Sequence, residues 1–230
     1  MLKWLVMLLG CMFILQGCMF GGQEEMTTTE GKLVNQQLLQ AAERQDADTV
    51  IQLLNEGADV NVQDAKGRTA AMIATYNNDV NTVKALIDAG ADVNKQDDLK
   101  NTPFLYAGAE GYIEILKLTI DAGADPTITN RFGGTALIPA SEHGYLDVIQ
   151  ELLIRTSIAI NHVNNLGWTA LMEAIILNDG GQRQQQVVQV LIEHGADVNI
   201  PDHDRVTPLQ HARNKGFKEI ERILVAAGAK

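Results

Sequence analysis

Gly-Ala-Asp recurs at positions 57, 90, 123 and 195, a truncated Gly-Ala follows at 228, and Thr stands at 69, 102, 135, 169 and 207, so the chain repeats itself at spacings of 33, 33, 34 and 38 residues. Self-similarity at such a period marks small supersecondary units that cannot bury their apolar faces alone and must stack on their neighbours. Residues 33–230 number 198, six times 33, which leaves no room in this stretch for a second domain. Within a unit, a polar turn such as Asp64-Ala65-Lys66-Gly67 precedes Thr69, whose hydroxyl suits a helix N-cap, and Pro103 and Pro208 follow their Thr at the first helical position. After a break near Asn78, apolar residues three and four apart (Val80, Val83, Leu86, Ile87, and their counterparts Ile113, Leu116, Ile120) describe one buried face of a second helix. Gly57, Gly90, Gly123 and Gly195 then occupy the left-handed cap position, where a Cβ is penalised. With 46% apolar residues the stack has core enough, and the two cysteines, Cys11 and Cys18, both lie too near the N-terminus to staple it or to cage a metal within it.

Thr102-Pro103-Phe104-Leu105-Tyr106-Ala107, Thr207-Pro208-Leu209-Gln210-His211-Ala212 and the Gly-Ala-Asp-Val-Asn ends resemble the ankyrin repeat. The resemblance implies an all-α solenoid of about six helix-pair units with projecting β-turn fingers and a concave binding face. The sequence departs from the family pattern at several points. The histidine usual in the fourth place of the motif is replaced by Met72, Leu105, Ile138, Met172 and Gln210, so apolar packing must substitute for a helix-linking hydrogen bond. The turn glycine of Gly67, Gly133 and Gly167 becomes Lys100 and Arg205, which puts the finger conformation there in question. Residues 155–160 lack the Gly-Ala-Asp cap, and 178–186 (NDGGQRQQQ) insert about five residues, expected as an outward loop. The stack is expected to be weakest between 155 and 186.

Ahead of the repeats, one early positive charge at Lys3, an apolar run over residues 4–15 and then Gln16-Gly17-Cys18 form a signal-peptide layout, with an uncleaved membrane anchor as the alternative. Leu15-Gln16-Gly17-Cys18 resembles the lipobox of bacterial lipoproteins, although Gln16 stands where a small or aliphatic residue is usual. That resemblance implies cleavage before Cys18 and a lipid on it; Met19 in the next place implies transfer to the outer membrane, with the body facing the periplasm. The expected organisation is a signal peptide over 1–17, the lipidated cysteine and a Gly-, Thr- and Glu-rich flexible tether over 18–32, and the repeat domain over 33–230.

Catalytic motifs are missing: the sequence has no Gly-rich phosphate loop, no His-Glu-x-x-His, no Gly-x-Ser-x-Gly and no Cys-x-x-Cys. The densest polar cluster, Asp202-His203-Asp204, sits where other units place a polar turn; an envelope hydrolase built on it is the enzymatic alternative, and no cofactor or metal is expected. A net charge of −11 opposes nucleic acid. Binding is therefore the expected function, and the residues expected to carry it form a stripe. Three positions before each Thr, the fingertips hold Lys66, Leu99, Phe132, Leu166 and Asp204, so three consecutive fingers end in an apolar side chain, with Trp168 beside the last of these. Positions expected on the concave side include Tyr76, Glu110, Glu142 and His143, carboxylates suited to a protein partner with a basic patch. The whole reads as a non-catalytic, monomeric protein-binding module, touching the membrane only through the lipid on Cys18. An immunity protein that masks a toxin delivered to the periplasm is a narrower version of this reading.

Overall fold

The computed structural model describes residues 28–230; the apolar leader, Cys18 and most of the expected tether lie outside the described residues. Twelve α-helices follow one another there as six antiparallel pairs. The pairs are α1 (Thr28–Glu43) with α2 (Ala47–Asn55), α3 (Ala70–Tyr76) with α4 (Val80–Asp88), α5 (Pro103–Glu110) with α6 (Ile113–Asp121), α7 (Leu137–His143) with α8 (Leu146–Arg155), α9 (Ala170–Ile176) with α10 (Gln182–Glu193), and α11 (Pro208–Lys215) with α12 (Lys218–Ala226). First helices pack on first helices and second on second, in two layers, with the core between them. Val83, Leu86, Leu116, Ile149, Leu152, Leu191 and Leu224, all on second helices, are fully buried. Met72, Leu105, Ile138 and Met172, standing for the family's histidine, are buried too, while Gln210 completes a capping box with Thr207. Among the described residues no helix is long and apolar enough to cross a membrane.

Helix α1 begins at Thr28, so the last five residues assigned to the tether are helical. Glu30 in the first turn favours the positive end of the helix dipole, and Leu38, Ala41 and Ala42 bury the other end of the same helix, which extends the order upstream.

Four of the five periodic threonines cap as expected: the hydroxyls of Thr69, Thr102, Thr169 and Thr207 accept from the amides of Met72, Leu105, Met172 and Gln210. Thr135 does not, and its buried hydroxyl has no hydrogen-bond partner among the described residues. The cause lies four residues on. In the other units the residue at that place donates its N–H to the threonine carbonyl, as Ile73 does to Thr69 and Glu173 to Thr169, at 3.0 Å in both. Pro139 has no N–H to give. The helix therefore starts one residue later, with Ala136 at its cap, and Ile138 makes a shorter-range bond of 3.2 Å to the Thr135 carbonyl instead. This moves Pro139 into the first turn, where a missing donor costs nothing.

The insertion at 178–186 is a loop only over 178–181; residues 182–186 are helical. It lengthens α10 to 12 residues against nine or ten in the other repeat-type second helices, from α4 onward. Gln and Arg are good helix formers, and Gln184 is buried with its amide on the carbonyl of Glu142 and on Asn178 Oδ1, so tertiary contacts reward the extra turn. The missing cap after α8 is made by Thr156, whose hydroxyl donates to the carbonyl of Leu152 and accepts from the amide of Ile158.

Candidate partner-binding groove

Each finger is built round one Asp or Asn that the sequence repeats at 64, 97, 130, 164 and 202. In the second finger Asp97 Oδ1 accepts from the amides of Leu99 and Asn101, both at 2.9 Å; Asn130, Asn164 and Asp202 hold their fingers with the same pair of bonds. This clamp explains why fingers without the turn glycine survive. Lys100 and Arg205 adopt the left-handed conformation (φ 64° and 63°) that Gly133 adopts (72°), and each closes the same backbone hairpin. A side chain there costs about 1 kcal/mol, which the bonds to the carboxylate offset.

Three of the five clamp residues are tied in turn to a first helix, each differently. Tyr76 at the end of α3 donates its hydroxyl proton to Asp97, Asn164 Nδ2 donates to Glu173 Oε1 at 2.8 Å, and His211 Nε2 lies 2.7 Å from Asp202 Oδ2. Burial, foremost, and the Asp97 carboxylate push the Tyr76 phenol up to about 12, so it stays a donor. Asp202 is thus a structural clamp. Although burial acts in the opposite sense, the Val206 amide and His211 hold its carboxyl below the usual range. Its carboxylate bonds the side chain of His211, and among the described residues no group of three His, Cys, Asp or Glu could hold a metal ion.

Fingers and first helices together enclose a groove of about 540 Å³. Of the residues the sequence singled out, Leu99, Phe132 and Leu166 line it from the fingertips, and Tyr76, Glu110 and Glu142 line it from the helices. The three fingertip side chains are about half exposed (48%, 54% and 52%), so they do not fold back onto their own fingers. Two expected members lie elsewhere. Trp168 is half-buried and does not line the groove, although Asn101 and Gly134, at the same place in their fingers, do. His143, at the C-terminal end of α7, faces a separate hollow beside Asn178 and Arg183, with its Nδ1 3.8 Å from Glu142 Oε2.

The groove also holds residues the sequence reading missed, Glu173 foremost. Glu173, on α9, is only 6% exposed yet lines the groove. Burial, foremost, and the charge of Glu142 push its carboxyl up to about 7, against the pull of the Asn164 amide. The available signal was a carboxylate inside an otherwise apolar helix, ALMEAII. Aromatic rings complete the wall: Tyr76 and Tyr106 meet edge to face, 4.4 Å between centroids, and the Arg131 guanidinium lies 4.8 Å from the centre of the Phe132 ring.

Comparison with known proteins agrees with this architecture. Residues 38–130 and 104–202 match the sequence profile of ankyrin repeats (three copies). The chain is 53% identical over 81 residues to the ankyrin repeat protein YahD of Escherichia coli (strain K12), a match covering 35% of this chain and 40% of YahD. Among solved structures, an ankyrin repeat domain (ABAYE2397) from Acinetobacter baumannii AYE superposes with a TM-score of 0.82 at 47% identity, covering 84% of this chain and 98% of its own. The ankyrin repeat protein EF0377 gives 0.80 at 42% identity, covering 82% and 96%.

Proposed function

This chain belongs to the ankyrin-repeat family, whose members generally act by contacting other proteins, and from that premise we propose that it holds or masks a protein partner in the groove between its fingertips and first helices. The observation that carries the reading is the row of Leu99, Phe132 and Leu166, three apolar side chains left half in water on consecutive fingers beside the carboxylates of Glu110 and Glu142. Such a row is costly to expose and matches the centre of a protein interface, apolar with a charged border. In the same reading the Leu15–Cys18 motif provides a lipid anchor in a bacterial envelope, and the 230-residue chain works without catalysis, facing the periplasm.

One experiment tests both halves. A photoreactive amino acid at Phe132, in cells, should capture a single protein in the membrane fraction, and the same group at Ile154, an apolar side chain 72% exposed away from the groove, should not. Cys18→Ser should release the captured complex from the membrane. Equal capture from both positions, or none from Phe132, would refute groove binding, and a complex that stays on the membrane in Cys18→Ser would refute the anchor. With the partner in hand, Phe132→Ala should weaken binding about 30-fold.

A further inference from the structure

We infer that the groove takes an arginine side chain of the protein partner, its guanidinium meeting the carboxylates of Glu173 and Glu142. The inference rests on the groove being the docking site, as proposed above, and adds the chemistry of what enters it.

Three observations carry it. First, Glu173 has one carboxylate oxygen engaged by Asn164, while the other, Oε2, has no hydrogen-bond partner among the described residues and is not sealed from the groove. A nearly buried carboxylate with a free face toward a cavity is an acceptor awaiting a donor. Second, the charged side chains lining the groove are Glu110, Glu142 and Glu173 against Arg131, with His143 beside Glu142 on the far side. Arg131 does not satisfy the carboxylates: no ion pair among the described residues joins it to any of them, and its guanidinium rests over Phe132. Third, the groove that Glu173 lines is also lined by Tyr76, Tyr106, Phe132, Leu99 and Leu166. Those side chains favour arginine over lysine. A guanidinium is flat, weakly hydrated and able to stack on rings while giving two parallel N–H bonds to a carboxylate, whereas an ammonium must shed a tightly held water shell.

A bound guanidinium needs Glu173 ionised. Because that carboxyl sits near 7 when the groove is empty, binding expels its proton, and affinity should rise about tenfold between pH 6 and pH 8.

The test uses the full chain with 13C-labelled glutamate carboxyls and three capped tripeptides, acetyl-Gly-X-Gly-amide, with X arginine, citrulline or lysine. With arginine, the Glu173 and Glu142 carboxyl signals should shift saturably, at least about tenfold tighter than with citrulline or lysine and about tenfold tighter at pH 8 than at pH 6. Glu173→Gln keeps the carbonyl that accepts from Asn164, so it should fold normally, bind arginine more weakly and lose the pH dependence. Absence of saturable shifts with arginine, or equal binding of citrulline or lysine, would overturn the inference. The outcomes separate it from the reading it rests on. Capture of a partner from Phe132 without arginine binding would leave the docking site and remove the arginine; arginine binding without capture would do the reverse.

Discussion

At the residue scale, Glu173 is the side chain whose energetics depend most on solution conditions. Its carboxyl moves from the ordinary 4.5 to about 7 on folding, chiefly because burial penalises the charged form. A raised acid titrates in the unfolded chain first. Between pH 4.5 and 7 the folded state holds a proton that the unfolded state has released, so stability falls as pH rises through this window and the loss is complete above 7. Glu173→Gln removes the ionisable group while keeping the shape and the bond from Asn164. It should raise stability at pH 8 by roughly 1–3 kcal/mol and change it little at pH 4.5, where the folded state holds the proton and the unfolded state is only half ionised. Urea denaturation midpoints at the two pH values check this; equal effects at both would mean that packing, not charge, governs the site.

At the element scale, the same Thr does different work in neighbouring helices. The Thr102 hydroxyl accepts from the Leu105 amide at 3.1 Å, whereas the Thr135 hydroxyl is buried and unpaired because Pro139 shifts the start of α7. Valine keeps the shape of threonine and removes the hydroxyl. Thr102→Val should therefore cost about 1 kcal/mol of stability, and Thr135→Val should cost nothing or stabilise slightly, since it removes a desolvated group without a partner. Thermal or urea unfolding of the two variants decides it, and an equal loss in both would show that Thr135 caps its helix in solution.

At the scale of the whole molecule, the units are joined by a ladder of side chains as well as by packing. Asn61, Asn94, Asn161 and Asn199 each accept, through Oδ1, from a backbone amide one unit on (Asp92, Asp125, Asp197 and Lys230), at 2.8–2.9 Å. The rung that Thr127 should supply is missing. There Arg155 bridges to Asp121 of the preceding unit and to Glu151 of its own helix, exposed pairs worth at most about 1 kcal/mol. Weakness expected over 155–186 thus narrows, because Asn178 and Gln184 pin the later part to the carbonyl of Glu142. Hydrogen exchange should be fastest over 156–163, splitting the stack into blocks on either side of this junction, while 182–193 stays protected. Uniform protection across 156–163 and its counterpart 89–96 would contradict this.

The period of 33 was enough to set the number of units, the helix pairs, the buried face of each second helix and the row of exposed fingertips, because these follow from local preferences and from the need of every unit to bury the same stripe. Deviations from the period were visible in the sequence but not their consequences. Lys100 and Arg205 hold the finger because a clamp residue three before each accepts two amides, and the extra glutamines of α10 become a helical turn because Glu142, in the preceding unit, offers a carbonyl. The groove itself belongs to the tertiary structure. Glu110, Glu142 and Glu173 come from three different units, and Trp168 leaves the groove although it stands two residues from Leu166. Which side chains converge depends on how neighbouring units stack and in which direction each backbone position points, and neither is a property of the local sequence that names the residue.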